Sequence, residues 1–147
     1  MQVLASLSLS PGPGAVTQAL AWLESVAEQQ HWHPRTAFKL CLCLDETLTN
    51  VVLYGFSNDN GAAGAPAAID LAILADDASV ALDIVDNGVA FDPTQPTPKD
   101  LAKSLDEADI GGHGLRLIRH YLNDIQYRRE QGRNHLRLIT TFDSGKT

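Results

Sequence analysis

Glu46 and Asn50, in the stretch "FKLCLCLDETLTNVVLYGF", stand four residues apart, so on a helix they share one face, one turn above the other. A carboxylate can take the proton of an attacking hydroxyl, and an amide oxygen is a hard donor for a divalent cation. The run around them is apolar, and burying a polar group without a partner costs roughly 1–3 kcal/mol. Leu42 and Leu53 flank the pair, which puts it at the edge of a core, facing something polar. A second group is "DIVDNGVAFDP": a strand ends at Asp86, and Gly88 marks a close backbone approach or a positive φ. A third is "GGHGLRLIRHYL", where glycines ahead of a helix let backbone N–H groups point at an anion, helped by the helix dipole.

Other candidate motifs fail on their own chemistry. Gly112-His113-Gly114 lacks the third glycine of a dinucleotide fingerprint and follows a long loop rather than a strand. "SGKT" imitates the end of a phosphate loop, but position 140 is Thr140 where that loop needs glycine. His31 and His33 flank Trp32 in a connector expected to be exposed, with no third ligand for a metal. His120 sits in a helical stretch with no adjacent nucleophile. Cys41 and Cys43 point about 200° apart on a helix and so hold no metal jointly. They read as small core residues of a reduced protein.

The elements that must position these groups follow from periodicity and punctuation. "QVLASLSLS" alternates as a half-buried strand, "PGPG" breaks it, and "AVTQALAWLESVAEQQ" has helical spacing at Val16, Leu20, Leu23 and Ala27. Pro34 suits the first turn of a second helix that runs to about Gly55. "SNDNGAAGAP" is a loop, and "AAIDLAILAD" and "SVALDIVDN" are strands joined near Asp76 and Asp77. A long connection from Gly88 to Gly114 carries three prolines and only a weak helical patch around Leu101 to Leu105; such a length points to function or motion. "LRLIRHYLN" is a third helix, and "DIQYRRE" and "NHLRLITTF" form a hairpin over "QGR". This order predicts an α/β two-layer sandwich of the α+β kind: a mixed, largely antiparallel sheet with the helices on one face, as a single domain over residues 1–147.

Composition narrows the partners. A net charge of −7 and a pI near 5.0 do not suit a duplex-binding protein, and the late basic cluster "RLIRHYLNDIQYRREQGRNHLRL", though able to make a local positive patch, reads as a solvated strand pair, so no nucleic acid is expected. No segment approaches the roughly 20 apolar residues of a membrane span, and "MQVLASLSLSPGPG" lacks the basic flank of a signal peptide. A cytoplasmic protein with no membrane partner is the expectation.

Taken in order, the three polar groups resemble the asparagine box and the two glycine boxes of the GHKL ATP-binding superfamily, which includes gyrase, the heat-shock chaperone, histidine kinases and MutL. The likeness runs from the first strand to "LRLITTF". Size and wording are most similar to the anti-sigma-factor serine/threonine kinases. The resemblance implies that Asn50 holds the Mg²⁺ bridging the ATP phosphates, and that Glu46 is the general base or the orienter of the attacking hydroxyl. It further implies that Asp86 accepts a hydrogen bond from the adenine amino group while Gly88 lets the base approach. Gly112, His113, Gly114 and Leu115 would lie against the phosphates, under a lid from Thr94 to Ile110. The implied partners are a small anti-anti-sigma-type antagonist as substrate, a sigma factor, and a second copy in a homodimer. The lid departs from the pattern: "DEADIGG" is acidic and apolar, Lys99 and Lys103 are its only cations, and Arg116 is the nearest other one. Two alternatives stay open, a non-catalytic ATP-binding interaction module and a detached histidine-kinase catalytic domain.

Overall fold

The computed structural model describes residues 1–56, 66–92 and 114–143, the side chains of 114–117 excepted. Its elements are β1 (Gln2–Leu9), α1 (Ala15–Gln29), α2 (Pro34–Gly55), β2 (Ile69–Ala75), β3 (Ser79–Asp86), α3 (Gly114–Tyr121), β4 (Asp124–Glu130) and β5 (Arg133–Thr141). The sheet runs β1-β2-β3-β5-β4, and every pairing in it is antiparallel. Alternate residues therefore share a face. Leu71 and Ile73 of β2, Leu82 and Ile84 of β3, and Leu136 and Leu138 of β5 are buried in one cluster with Leu23, Leu40, Leu44 and Leu48 of the helices. That single apolar face carries the helices, which is the two-layer arrangement expected.

Local chemistry sets the element ends. Pro34 opens α2, and the His33 Nδ1 caps it by accepting a hydrogen bond from the Arg35 backbone N–H at 3.0 Å. His33 is thus a half-buried cap rather than an exposed connector residue. The β4–β5 hairpin turns on Gln131 (φ 52°) and Gly132 (φ 74°), consecutive left-handed residues of the kind that match the twist of the flanking strands. In α1 the buried positions are Ala15, Ala19, Leu23, Val26 and Ala27, while Val16 and Leu20 are only half-buried. The inner face of α1 thus runs through Ala15, Ala19, Leu23, Val26 and Ala27, rotated from the one that leucine and valine spacing predicts. Cys43 is fully buried and Cys41 partly so, and burial pushes the two thiols up to about 12 and about 11. Neither forms a thiolate at neutral pH.

Helix α2 is held at both ends. Near its start, Thr36 Oγ1 donates to Asp143 Oδ2 at 3.0 Å, and Lys39 Nζ pairs with the same carboxylate at 3.0 Å. At its end the Gly55 carbonyl accepts from the Val89 N–H at 3.0 Å. Glu46 and Asn50 lie between these two anchors.

Candidate active site

The sequence "DETLTN" divides cleanly around α2. Leu40, Cys43, Leu44, Thr47, Leu48, Val51 and Gly55 form its buried stripe, and Thr47 meets its own need by donating to the Cys43 carbonyl at 2.7 Å. Asp45 and Thr49 bond each other on the outer side at 3.4 Å. Glu46 and Asn50 fall between, partly exposed along the margin of the stripe, as expected. Leu53 does not flank a core there: it is 59% exposed. The next turn brings Tyr54 onto the same margin, packed against Phe91 with ring centroids 5.7 Å apart.

The sheet supplies the other half. On its helix-bearing face, the row Leu71, Ile84, Leu136 and Tyr127 is followed by Ile69, Asp86, Asn134 and Arg129. The core face therefore turns polar at one end, beside the end of α2. Asp86 and Asn134 are each only 3% exposed, so their bonds are obligatory. The Gly88 N–H and Asn134 Nδ2 both donate to Asp86 Oδ1, each at 2.9 Å. Burial pushes the Asp86 carboxyl up, opposed by those two bonds and by the Arg129 guanidinium and His135 nearby. Arg129 donates to the Gly88 carbonyl at 2.8 Å. Asn87 ties the end of β3 back to the start of β2, donating to the Pro66 carbonyl at 2.7 Å and accepting from the Ala68 N–H at 2.8 Å.

Gly88 meets the expected close approach, and the approaching group is protein backbone. A Cβ built on it would lie 2.5 Å from the Gly55 carbonyl oxygen and 3.0 Å from Asp86 Oδ1. Gly88→Ala should therefore push the end of α2 away and break its bond to Val89. The expected cost is about 1–3 kcal/mol, the usual range for overpacking, read as a lower midpoint in chemical denaturation. A wild-type midpoint would show that α2 moves freely at this point.

Gly114 is the first residue of α3, so the glycine box does lead into a helix. Gly112, His113, the side chains of Leu115 and Arg116, and the lid expected from Thr94 to Ile110 lie outside the described residues. Sequence reasoning passed over Asn134, Tyr127, Arg129 and Gly55. Asn134 did carry a signal, since it occupies the apolar parity of "NHLRL" where Leu136 and Leu138 follow. Among the described residues no cluster of His, Cys, Asp or Glu is arranged to hold a metal ion alone, and no helix is long and apolar enough to cross a membrane.

Along most of its length the chain is similar to known proteins. The serine/threonine-protein kinase BtrW of Bordetella bronchiseptica is 46% identical over 135 residues, covering 92% of both chains. The crystal structure of the RsbU and RsbW domains of a Mycobacterium tuberculosis protein superposes with a TM-score of 0.63 at 15% identity, over 95% of this chain and 33% of that one. This chain thus spans a third of that longer protein. The SiaB–SiaC complex from Pseudomonas aeruginosa contains a chain that matches with a TM-score of 0.56 at 14% identity, over 96% of this chain and 91% of that one. These two likenesses bear on the fold, which they share. Residues 9–140 match the histidine kinase-like ATPase domain family, and with the extended identity to BtrW this shows that the chain belongs to that family.

Proposed function

We propose that this chain is an ATP-dependent protein serine/threonine kinase that phosphorylates a small antagonist protein of the anti-anti-sigma kind in a bacterial partner-switching circuit. The observation that carries the reading is Asp86, buried at the polar end of the sheet with both of its described hydrogen bonds on Oδ1. Oδ2 is then the oxygen that accepts from the adenine 6-amino group. The identity to a named serine/threonine-protein kinase along nearly the whole chain supports transfer to a hydroxyl rather than to a histidine.

The helix supplies the chemistry. Asn50 is partly exposed, and its amide has no hydrogen-bond partner among the described residues, so its oxygen fits a hard cation that takes one protein ligand and otherwise phosphate and water. Mg²⁺ bound there would neutralise charge on the phosphates. Glu46, one turn away on the same margin, takes the proton of the serine or threonine hydroxyl as its oxygen bonds to the γ-phosphorus and the β–γ bridging oxygen departs with ADP. Gly112 and His113, with Gly114 and Leu115 at the start of α3, would present backbone to the phosphates. A sigma factor as the second partner, a homodimer, a single domain over 1–147 and a cytoplasmic setting complete the reading. The sigma factor and the homodimer rest on the likeness of the three boxes to the anti-sigma-factor kinases, and the single domain and the setting on element order and composition.

Incubation with γ-labelled ATP, Mg²⁺ and a cognate antagonist tests it. Acid-stable label on a serine or threonine of the antagonist is expected. Nucleotide occupancy with no transfer would leave a binding module instead, and acid-labile label would indicate a histidine acceptor.

A further inference from the structure

Asn134 has no spare bonding capacity. Its Nδ2 donates to Asp86 Oδ1 and to the Val89 carbonyl, both at 2.9 Å. Its Oδ1 accepts from the Tyr127 hydroxyl at 2.6 Å and from the Phe91 N–H at 3.3 Å. A backbone carbonyl only accepts and a backbone N–H only donates, so these two contacts fix which way the amide faces. The Tyr127 hydroxyl must then be the donor in the shortest bond of the set. Tyr127 stands opposite Leu136 on the helix-bearing face of the edge strand β4, and reaches diagonally along β5 to Asn134.

We infer that Tyr127 is a positioning residue for nucleotide recognition: its hydroxyl, through the Asn134 amide, holds Asp86 as an oriented, charged acceptor for the adenine 6-amino group. The physical basis is polarisation along a hydrogen-bonded chain in a dry site. A strong donor on the amide oxygen makes the amide N–H groups better donors, and these land on the buried carboxylate. The same amide grips Val89 and Phe91, so the first residues after the acid are set by the bond that sets the acid. Charged and titratable groups around this cluster are Arg129 on the same sheet face, His135 on the opposite face beside Val85, and Asp92 from the connection. Neither Arg129 nor His135 bonds Asn134 among the described contacts. The inference rests on the ATP reading above and names a residue that the three boxes do not contain.

Tyr127→Phe removes the hydroxyl and keeps the ring, and Phe91 still bonds the amide oxygen, so the fold is retained. ATP and purine riboside triphosphate, which lacks only the 6-amino group, are titrated by calorimetry against wild type and variant across pH 5–8. Wild type should favour ATP by about tenfold or more, the usual worth of a hydrogen bond to a charged group. In the variant that preference should shrink to about threefold or less, through loss of ATP affinity alone, and the acid limb of ATP binding should move to higher pH. Equal weakening of both nucleotides with an unmoved acid limb would make Tyr127 a plain packing residue and overturn the inference, as would an unchanged preference. A wild-type protein that binds both equally would instead remove the assignment of Asp86, and this inference with it. The two failures are therefore told apart by the wild-type titration.

Discussion

Glu46→Ala is expected to leave ATP–Mg²⁺ binding within a few-fold of wild type and to lower the transfer rate by about 10²–10⁴, the usual contribution of a positioned general base. The split follows from the geometry. Glu46 sits on the exposed margin of α2, partly open to solvent and one turn from Asn50, while the base-recognising acid is on the sheet beyond the end of the same helix. Removing a half-exposed carboxylate takes nothing from the buried stripe of Leu40, Leu44, Thr47 and Leu48, so stability should change little. It also removes a negative charge from the neighbourhood of the triphosphate, which works slightly in favour of binding. Single-turnover transfer measured beside equilibrium binding separates the two effects. Equal loss of binding and transfer would contradict the role assigned to Glu46. Undiminished transfer would leave proton removal to solvent and reduce Glu46 to a surface residue.

How much of this could be read from the sequence depended on the range of the interaction involved. The Glu46–Asn50 face was legible because i, i+4 geometry is local, and Asp86 because an acid at a strand end before glycine breaks an apolar run. The order of elements and the antiparallel hairpins followed from periodicity of the same local kind. Gly88 was legible only as a demand for space; that Gly55 fills the space needs α2 to be laid against the end of β3, which no local pattern states. Asn134 and Tyr127 depend on register. A strand read alone shows an amide at an apolar position, and only the β3–β5 pairing sets that amide opposite Asp86. His33 was misplaced for the converse reason: as a polar residue before a proline it looked like solvent-facing connector, whereas the helix start needed an acceptor for its free N–H. The face of α1 was misread because alanine adds little to a hydrophobic pattern yet governs how closely a helix can pack.

Asp86→Asn should separate stability from recognition in opposite directions. Burial raises the Asp86 carboxyl above its ordinary value, so the folded protein binds the proton more tightly than the unfolded chain. For an acid shifted this way, stability is highest below the unfolded value and falls as pH rises toward the folded one; the loss then persists at neutral pH. At pH 7 the buried charge is therefore a net cost to the free protein. An asparagine keeps an oxygen for the Gly88 N–H and the Asn134 amide and carries no charge, so the apparent Tm of the free variant should rise at pH 7, with the gain shrinking toward pH 4. Those two donors hold its oxygen at the Oδ1 position, which leaves its NH₂ where Oδ2 stood. A donor there opposes the adenine amino group, and ATP affinity should fall by about 10–100-fold, the loss of a charge-assisted bond made worse by two donors meeting. The same NH₂ suits the 6-carbonyl of guanine, so the ratio of ATP to GTP affinity should fall further than ATP affinity itself. Thermal melts of the free variant at pH 4, 5.5 and 7, with paired ATP and GTP titrations, test every part of this. A lower Tm at neutral pH would mean that the Asp86 charge stabilises the free fold. Unchanged base preference would mean that the adenine is read elsewhere.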